Sequence, residues 1–160
     1  MSAATPLPER SRVVQQHLEA AGVSASIRVL PDSARTAAEA AAAIGCDVAA
    51  IANSLVLIAD GEPVLVMTSG GHRVDLDVLT ASIGAREVAM APASVVRSAT
   101  GQAIGGVAPI GHPKPLRTFL DDALQHRDEL WAAAGHPHTV MPLTFEQLRL
   151  LTQGTVITVA

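Results

Sequence analysis

The stretch Gly105-Gly106-Val107-Ala108-Pro109-Ile110-Gly111-His112-Pro113 holds the residue types best suited to chemistry in this chain. Paired glycines let a backbone approach a ligand with no side chain in the way. Pro109 and Pro113 then fix the path of the chain as it leaves. Such a loop recognises through main-chain N–H and C=O groups. Side-chain chemistry is scarce: there is one lysine, Lys114, one cysteine, Cys46, and no tyrosine. An enzyme built from these residues works through backbone donors and ordered water rather than a strong nucleophile. The loop is not a Walker loop, because no Gly-Lys-Ser/Thr follows, and its second glycine half does not fit a dinucleotide fingerprint. It is either a plain turn between strands or a set of N–H groups that binds an oxyanion.

The other polar candidates are few. Asn53 and Ser54 interrupt an apolar run, and a polar pair there needs partners if it is buried. They mark either an exposed edge or a pocket. His112, His136 and His138 invite a metal reading, since residues at i and i+2 share a face in an extended chain. No Cys partner and no His-Glu-x-x-His accompanies them, so the expectation is no metal and no other cofactor. Asp121-Asp122 reads as a solvated turn, and Arg73, Lys114 and Arg117 as a small basic rim if the fold gathers them.

The bulk of the chain limits what these residues can serve. A length of 160 residues supports one domain with a real core, and 49% apolar content excludes a disordered chain. The net charge of −4 argues against broad binding along a duplex but not against contact with the end of a nucleic acid. A lone cysteine rules out an internal disulfide, which fits a reducing cytoplasm. Residues 1–10 lack the apolar core of a signal peptide, and no run reaches the ~18 apolar residues of a membrane span. No membrane partner is expected.

The elements that must position the candidates follow from period and punctuation. Residues 1–9 read as a disordered lead, and residues 10–160 as a single domain. Helices are expected over residues 10–21, from Thr36 to Gly45 with Glu39 at capping-box spacing, over 75–83, 93–99 and 144–152. Strands are expected over 26–30, 51–59, 63–68, 87–91, 118–120, 129–133, 139–143 and 155–159, with 124–134 open to a helical reading. Asp60-Gly61-Glu62 between two apolar runs predicts a hairpin. The irregular alternation favours a mixed α/β domain over a doubly wound parallel sheet.

Four stretches together resemble the YbaK/EbsC family, the prolyl-tRNA editing-domain superfamily. They are Thr36 with its Ala-rich helix to Gly45, Ile51 to Leu57, Arg73-Val74-Asp75-Leu76 with the helix to Gly84-Ala85, and Ala99-Thr100-Gly101 leading into Gly105 to Pro109. The resemblance runs from about residue 25 to 160 and implies a compact domain with a curved mixed sheet flanked by helices. It implies a free-standing aminoacyl-tRNA deacylase that hydrolyses the ester of mischarged tRNA, with the tRNA 3′ end as partner, alone or beside a synthetase; the sequence leaves the oligomeric state open, with a monomer favoured. It implies that the loop Gly105 to Pro109 holds the aminoacyl ester; with the reading of the residues this puts catalysis on Asn53, Ser54, Gly105 and Gly106, and substrate binding on Thr36, Val107, Ala108, Pro109 and His138, the last also a candidate base. Two positions depart from the family pattern. The lysine that usually precedes Thr or Ser on the long strand is Asn53, and an aspartate found in some members after the late glycine turn is missing from His136-Pro137-His138-Thr139. A non-catalytic binder of aminoacyl groups or aminoacyl-tRNA therefore stands beside the deacylase, and a metal hydrolase using the three histidines stands third.

Overall fold

Asp60 and Gly61 both adopt positive φ, 48° and 86°. That is the geometry of a two-residue hairpin turn whose twist matches its flanking strands. The Asp60 carboxylate accepts the N–H groups of Arg86 and Glu87, which lowers its pKa and ties the turn to the next segment. The turn joins β2 (Ile51–Ala59) to β3 (Glu62–Ser69) in eight consecutive antiparallel pairs, from Ala52 opposite Ser69 to Ala59 opposite Glu62. The computed structural model describes residues 6–32, 34 and 36–160.

Around this hairpin lie α1 (Glu9–Ala20), β1 (Arg28–Val29), α2 (Ala37–Ile44), α3 (Leu76–Ile83), β4 (Val88–Met90) and α4 (Ala93–Thr100). The C-terminal half adds β5 (Arg117–Asp121), β6 (Leu130–Ala133), β7 (Thr139–Leu143), α5 (Phe145–Thr152) and β8 (Thr155–Ile157). The sheet runs β1-β7-β6-β2-β3-β5-β8, with β4 attached to β2. The β2–β6, β3–β5 and β5–β8 pairs are parallel and the rest antiparallel, so the sheet is mixed.

Local chemistry explains the helix limits. The Thr36 hydroxyl accepts the Glu39 N–H at 3.1 Å, and Gly45 closes α2 in the left-handed region. Asp75 and Gly84 do the same for α3, and Thr144 with Gln147 forms a full capping box on α5. The segment open to two readings resolves as a 3-10 turn over Asp122–His126 followed by β6. Asp121 starts that turn by accepting the Ala123 N–H. Glu9 already opens α1, one residue before the expected domain start; residues 1–5 of the expected lead lie outside the described residues.

Strand pleating sends alternate residues to opposite faces. One face of the sheet packs Ala52, Val56, Leu65 and Met67 against Val14 and Leu18 of α1, Val96 of α4, Leu148 of α5, and Val107 and Ala108. The other face packs Leu57, Val64 and Val66 against Leu79 and Ile83 of α3, and Ile51 against Ala40 and Ala41 of α2. Each fully buried leucine here is worth ~1.5–3 kcal/mol relative to exposure. Helices thus cover both faces, and β2 runs through the centre.

Candidate active site

Strand β2 has an interruption on one edge. In an antiparallel ladder a residue's N–H and C=O point to the same edge, and neighbours alternate. The Ile51 C=O accepts the Gly70 N–H, so odd residues of β2 address β3. The Val56 C=O accepts the Ala91 N–H, so even residues address the other edge. There β6 pairs with Ile51 and Ala52, and β4 with Leu57, Ile58 and Ala59. Ser54 falls between the two strands and pairs with neither. Its main-chain donor and acceptor turn into the opening that β6 and β4 leave.

The glycine loop fills the mouth of that opening. Thr36, Asn53, Ser54, Gly105 and Val107 line one cavity of about 40 Å³, together with Trp131 and the small residues Ala37 and Ala40 of α2. Ser54, Gly105 and Val107 also line an adjoining cavity of about 70 Å³ beside Met90 and Ile104. Asn53 and Ser54 reach the opening from opposite faces of β2, since neighbouring side chains alternate. The Ser54 hydroxyl donates to the Met67 sulfur at 3.1 Å, and the Thr36 hydroxyl donates to Glu39 Oε1 at 3.2 Å while capping α2.

Three side chains hold the loop rigid. Buried Gln102 accepts the Ala108 N–H at 2.7 Å through Oε1 and donates to the Ile110 C=O at 3.3 Å through Nε2. The Thr100 hydroxyl donates to the Val96 and Gln102 carbonyls and accepts the Gln102 N–H. His112 Nε2–H donates to the Ala108 C=O at 2.8 Å. Burial pushes the His112 pKa down, with the nearby His17 adding to that and the bond to Ala108 opposing it, and the net shift favours the neutral ring.

These bonds divide the loop's amides into used and free. The Gly106 N–H goes to the Ala103 C=O, and the Ala108 N–H to Gln102. The N–H groups of Gly105 and Val107 have no hydrogen-bond partner among the described residues. The free donors are therefore Gly105 and Val107, not Gly106. The missing side chain of Gly106 serves a different contact: a Cβ there would lie 2.6 Å from the His136 carbonyl carbon and 2.8 Å from the Pro137 nitrogen. Its C=O accepts the Gly135 N–H. The close approach made by this glycine is to the protein's own backbone.

Ala108 is buried, and Pro109 lines a separate depression near His17 and His112. His138 lies in a third concavity with Arg10, Arg97 and His136; its backbone N–H donates to His136 Nδ1. The described residues hold no group of three His, Cys, Asp or Glu able to bind a metal. Asp121 is not solvated. It is fully buried, accepting the Ser69 and Ala123 N–H groups and pairing with His72 Nδ1 at 2.9 Å. Arg117 lies over the Phe119 ring, 4.9 Å from its centroid. Sequence reasoning passed over Trp131, Ala37 and Ala40, although an alanine-rich helix is itself a sign of space left beside it.

The aminoacyl-tRNA editing domain family matches residues 31–151, which contain the interrupted edge and the glycine loop. The chain is 29% identical over 117 residues to the uncharacterized protein YwhH of Bacillus subtilis, spanning 72% of this chain and 74% of YwhH. It is 29% identical over 150 residues to a proline–tRNA ligase of Bacillus licheniformis, spanning 84% of this chain but only 26% of the ligase. A solved structure proposed to be a trans-editing enzyme for prolyl-tRNA synthetase superposes with a TM-score of 0.90 at 39% identity, covering 96% of this chain and 98% of that one. No helix among the described residues is long and apolar enough to cross a membrane. With the family match spanning most of its length and a near-complete superposition on a relative of the same kind, this chain belongs to the aminoacyl-tRNA editing domain family, in its YbaK-like form.

Proposed function

We propose that this chain is a free-standing deacylase that hydrolyses the ester bond of mischarged aminoacyl-tRNA. The observation that carries this reading is the interrupted edge of β2, where unpaired main-chain groups of Ser54, Gly105 and Val107 border one small cavity. The aminoacyl group enters the cavity, whose volume of about 40 Å³ suits a side chain of a few atoms. Water attacks the ester carbonyl carbon. The resulting oxyanion is stabilised by the Gly105 and Val107 N–H groups, and loss of one such donor typically costs ~3–4 kcal/mol. The intermediate collapses as the bond to the ribose oxygen breaks. That oxygen takes up a proton supplied by the attacking water, leaving a free amino acid and a tRNA with its terminal hydroxyl restored.

Among the described residues no cationic side chain lines the cavity, and in this reading backbone dipoles face the transition-state charge. An ester is activated enough for this to suffice, and the neighbouring ribose hydroxyl orients the water. Asn53 can donate and accept hydrogen bonds and so positions ribose or water. In this reading the protein works in the cytoplasm as a monomer that meets the tRNA 3′ end, alone or beside a synthetase. Asn53, at the position of the usual family lysine, favours a second reading: a pocket that binds aminoacyl-tRNA without turning it over. Single-turnover assays on a panel of mischarged tRNAs, with and without EDTA, separate the possibilities. EDTA-insensitive ester loss supports the deacylase, tight binding without turnover supports the binder, and EDTA-sensitive turnover overturns both.

A further inference from the structure

The chain carries a net charge of −4, yet one concavity concentrates basic groups. Arg10 of α1 and Arg97 of α4 line an open depression of about 510 Å³ with His136 and His138. Arg10 Nη1 sits over Gly101, where a Cβ would approach it to 3.2 Å. Neither arginine forms a salt bridge among the described residues, whereas Arg127 is paired with Asp47. The C-terminal carbonyls of α4 would oppose an anion here, but those of Val96 and Arg97 already accept bonds from Thr100 and Gly101.

The depression is lined by stretches of chain that adjoin those lining the candidate active-site cavity. Gly101, Gln102 and Ala103 line the depression, and two residues further on Gly105 lines the cavity. Gly106 packs on the His136–Pro137 backbone. On the other side, Ala34 N–H donates to the Pro137 C=O, and Ala34 itself lines the cavity. The depression thus adjoins the cavity on the side of the glycine loop and the Gly135–Pro137 turn.

We propose that the Arg10–Arg97 depression binds phosphodiester groups of the RNA strand whose aminoacylated end occupies the cavity. The guanidinium is suited to this task because its fork of N–H donors matches phosphate oxygens two at a time. The proposal rests on the deacylase reading for its choice of strand, but it is tested by binding rather than hydrolysis.

The experiment measures fluorescence anisotropy of an uncharged acceptor-stem RNA against the wild type, Arg10→Ala/Arg97→Ala, and the charge-matched control Arg86→Ala/Arg149→Ala, across a salt series. Circular dichroism checks folding, and Arg10→Lys/Arg97→Lys keeps the charge if the alanine pair unfolds. The expected result is a loss of about tenfold or more in affinity for the alanine pair. Its log Kd against log salt slope should be shallower by about 1.4, the value for two single-strand phosphate contacts. The control stays within about twofold, and the lysine pair falls between. Equal affinity and slope for the wild type and the folded alanine pair overturn the proposal. So does a pyrophosphate titration that saturates the site while the RNA fails to compete, since the ligand is then a free anion. Arginine-dependent RNA binding without any hydrolysis leaves this site standing and sinks the deacylase; hydrolysis with arginine-independent binding does the reverse.

Discussion

Strand β2 has two unlike edges. Along β3 it is paired without a break for eight residues, and that ladder fixes its position in the sheet. Along the other edge β6 and β4 share it and leave Ser54 between them. A strand end frays when it loses partners, but here the missing partners sit in the middle of a strand held firmly on its far side. The difference teaches that one complete ladder is enough to hold a strand in place, so the opposite edge can leave main-chain groups unpaired.

Proline substitution separates the two edges most sharply. Leu55→Pro removes an N–H directed at β3 and should destabilise the fold by about 3 kcal/mol or more. Ser54→Pro removes an N–H directed at the gap, and proline is tolerated where the missing donor faces no ladder. Its thermal melt should stay within about 1 kcal/mol of wild type, while ester hydrolysis falls at least about tenfold through loss of a site donor and obstruction of the cavity. Equal destabilisation by the two variants in chemical denaturation would show that the edges are equivalent and dissolve the comparison.

Gly106 gives the next largest effect. Gly106→Ala forces a Cβ against the His136–Pro137 backbone and should cost about 3 kcal/mol in denaturant melts, since neither chain segment can rotate away. A variant that melts like wild type but loses activity would return Gly106 to substrate contact.

The elements themselves were legible in the sequence because their signals are local. Thr36 with Glu39 and Gly45, Asp75 with Gly84, and Asp60-Gly61 each lie within one turn of what they control. The gap was not legible, because it depends on which strands take the outer edge of β2, and β4 and β6 meet it from about 30 and 80 residues downstream in the sequence. The glycine pair announced a close approach but not its object: Gly106 meets backbone 30 residues away. Thr36, Asn53, Ser54, Gly105 and Val107 do gather at one cavity, whereas Ala108, Pro109 and His138 face other surroundings. Asp121 read as a turn residue because nothing nearby in sequence reveals that Ser69 and His72 close over it.

Smaller effects refine the account of the open edge. Asn53→Lys adds an ammonium beside the cavity and should raise the single-turnover rate by roughly fivefold, while Asn53→Ala should lower it by a similar factor. No change in either folded variant would remove Asn53 from the site. The smallest effect concerns the loop clamp. His112 has a folded pKa below its unfolded value, so the unfolded chain binds the proton more readily. Its contribution is present above the unfolded value of about 6.5 and is lost as pH falls through and below it. Stability of the wild type should therefore decline between pH 7 and 5 more steeply than that of His112→Gln, measured by urea melts at each pH.

Gln102 grips its neighbours through their amides alone, taking the Ala108 N–H and the Ile110 C=O. A clasp of that kind is indifferent to what side chains the clasped residues carry. Ala103 and Ile104, both exposed, sit at the rim of the two depressions without anchoring either. Their identities can drift in descent, or be randomised in a library, while the framework that aims the amides stays put. The outline of these two depressions is thus open to revision by mutations that leave the architecture untouched.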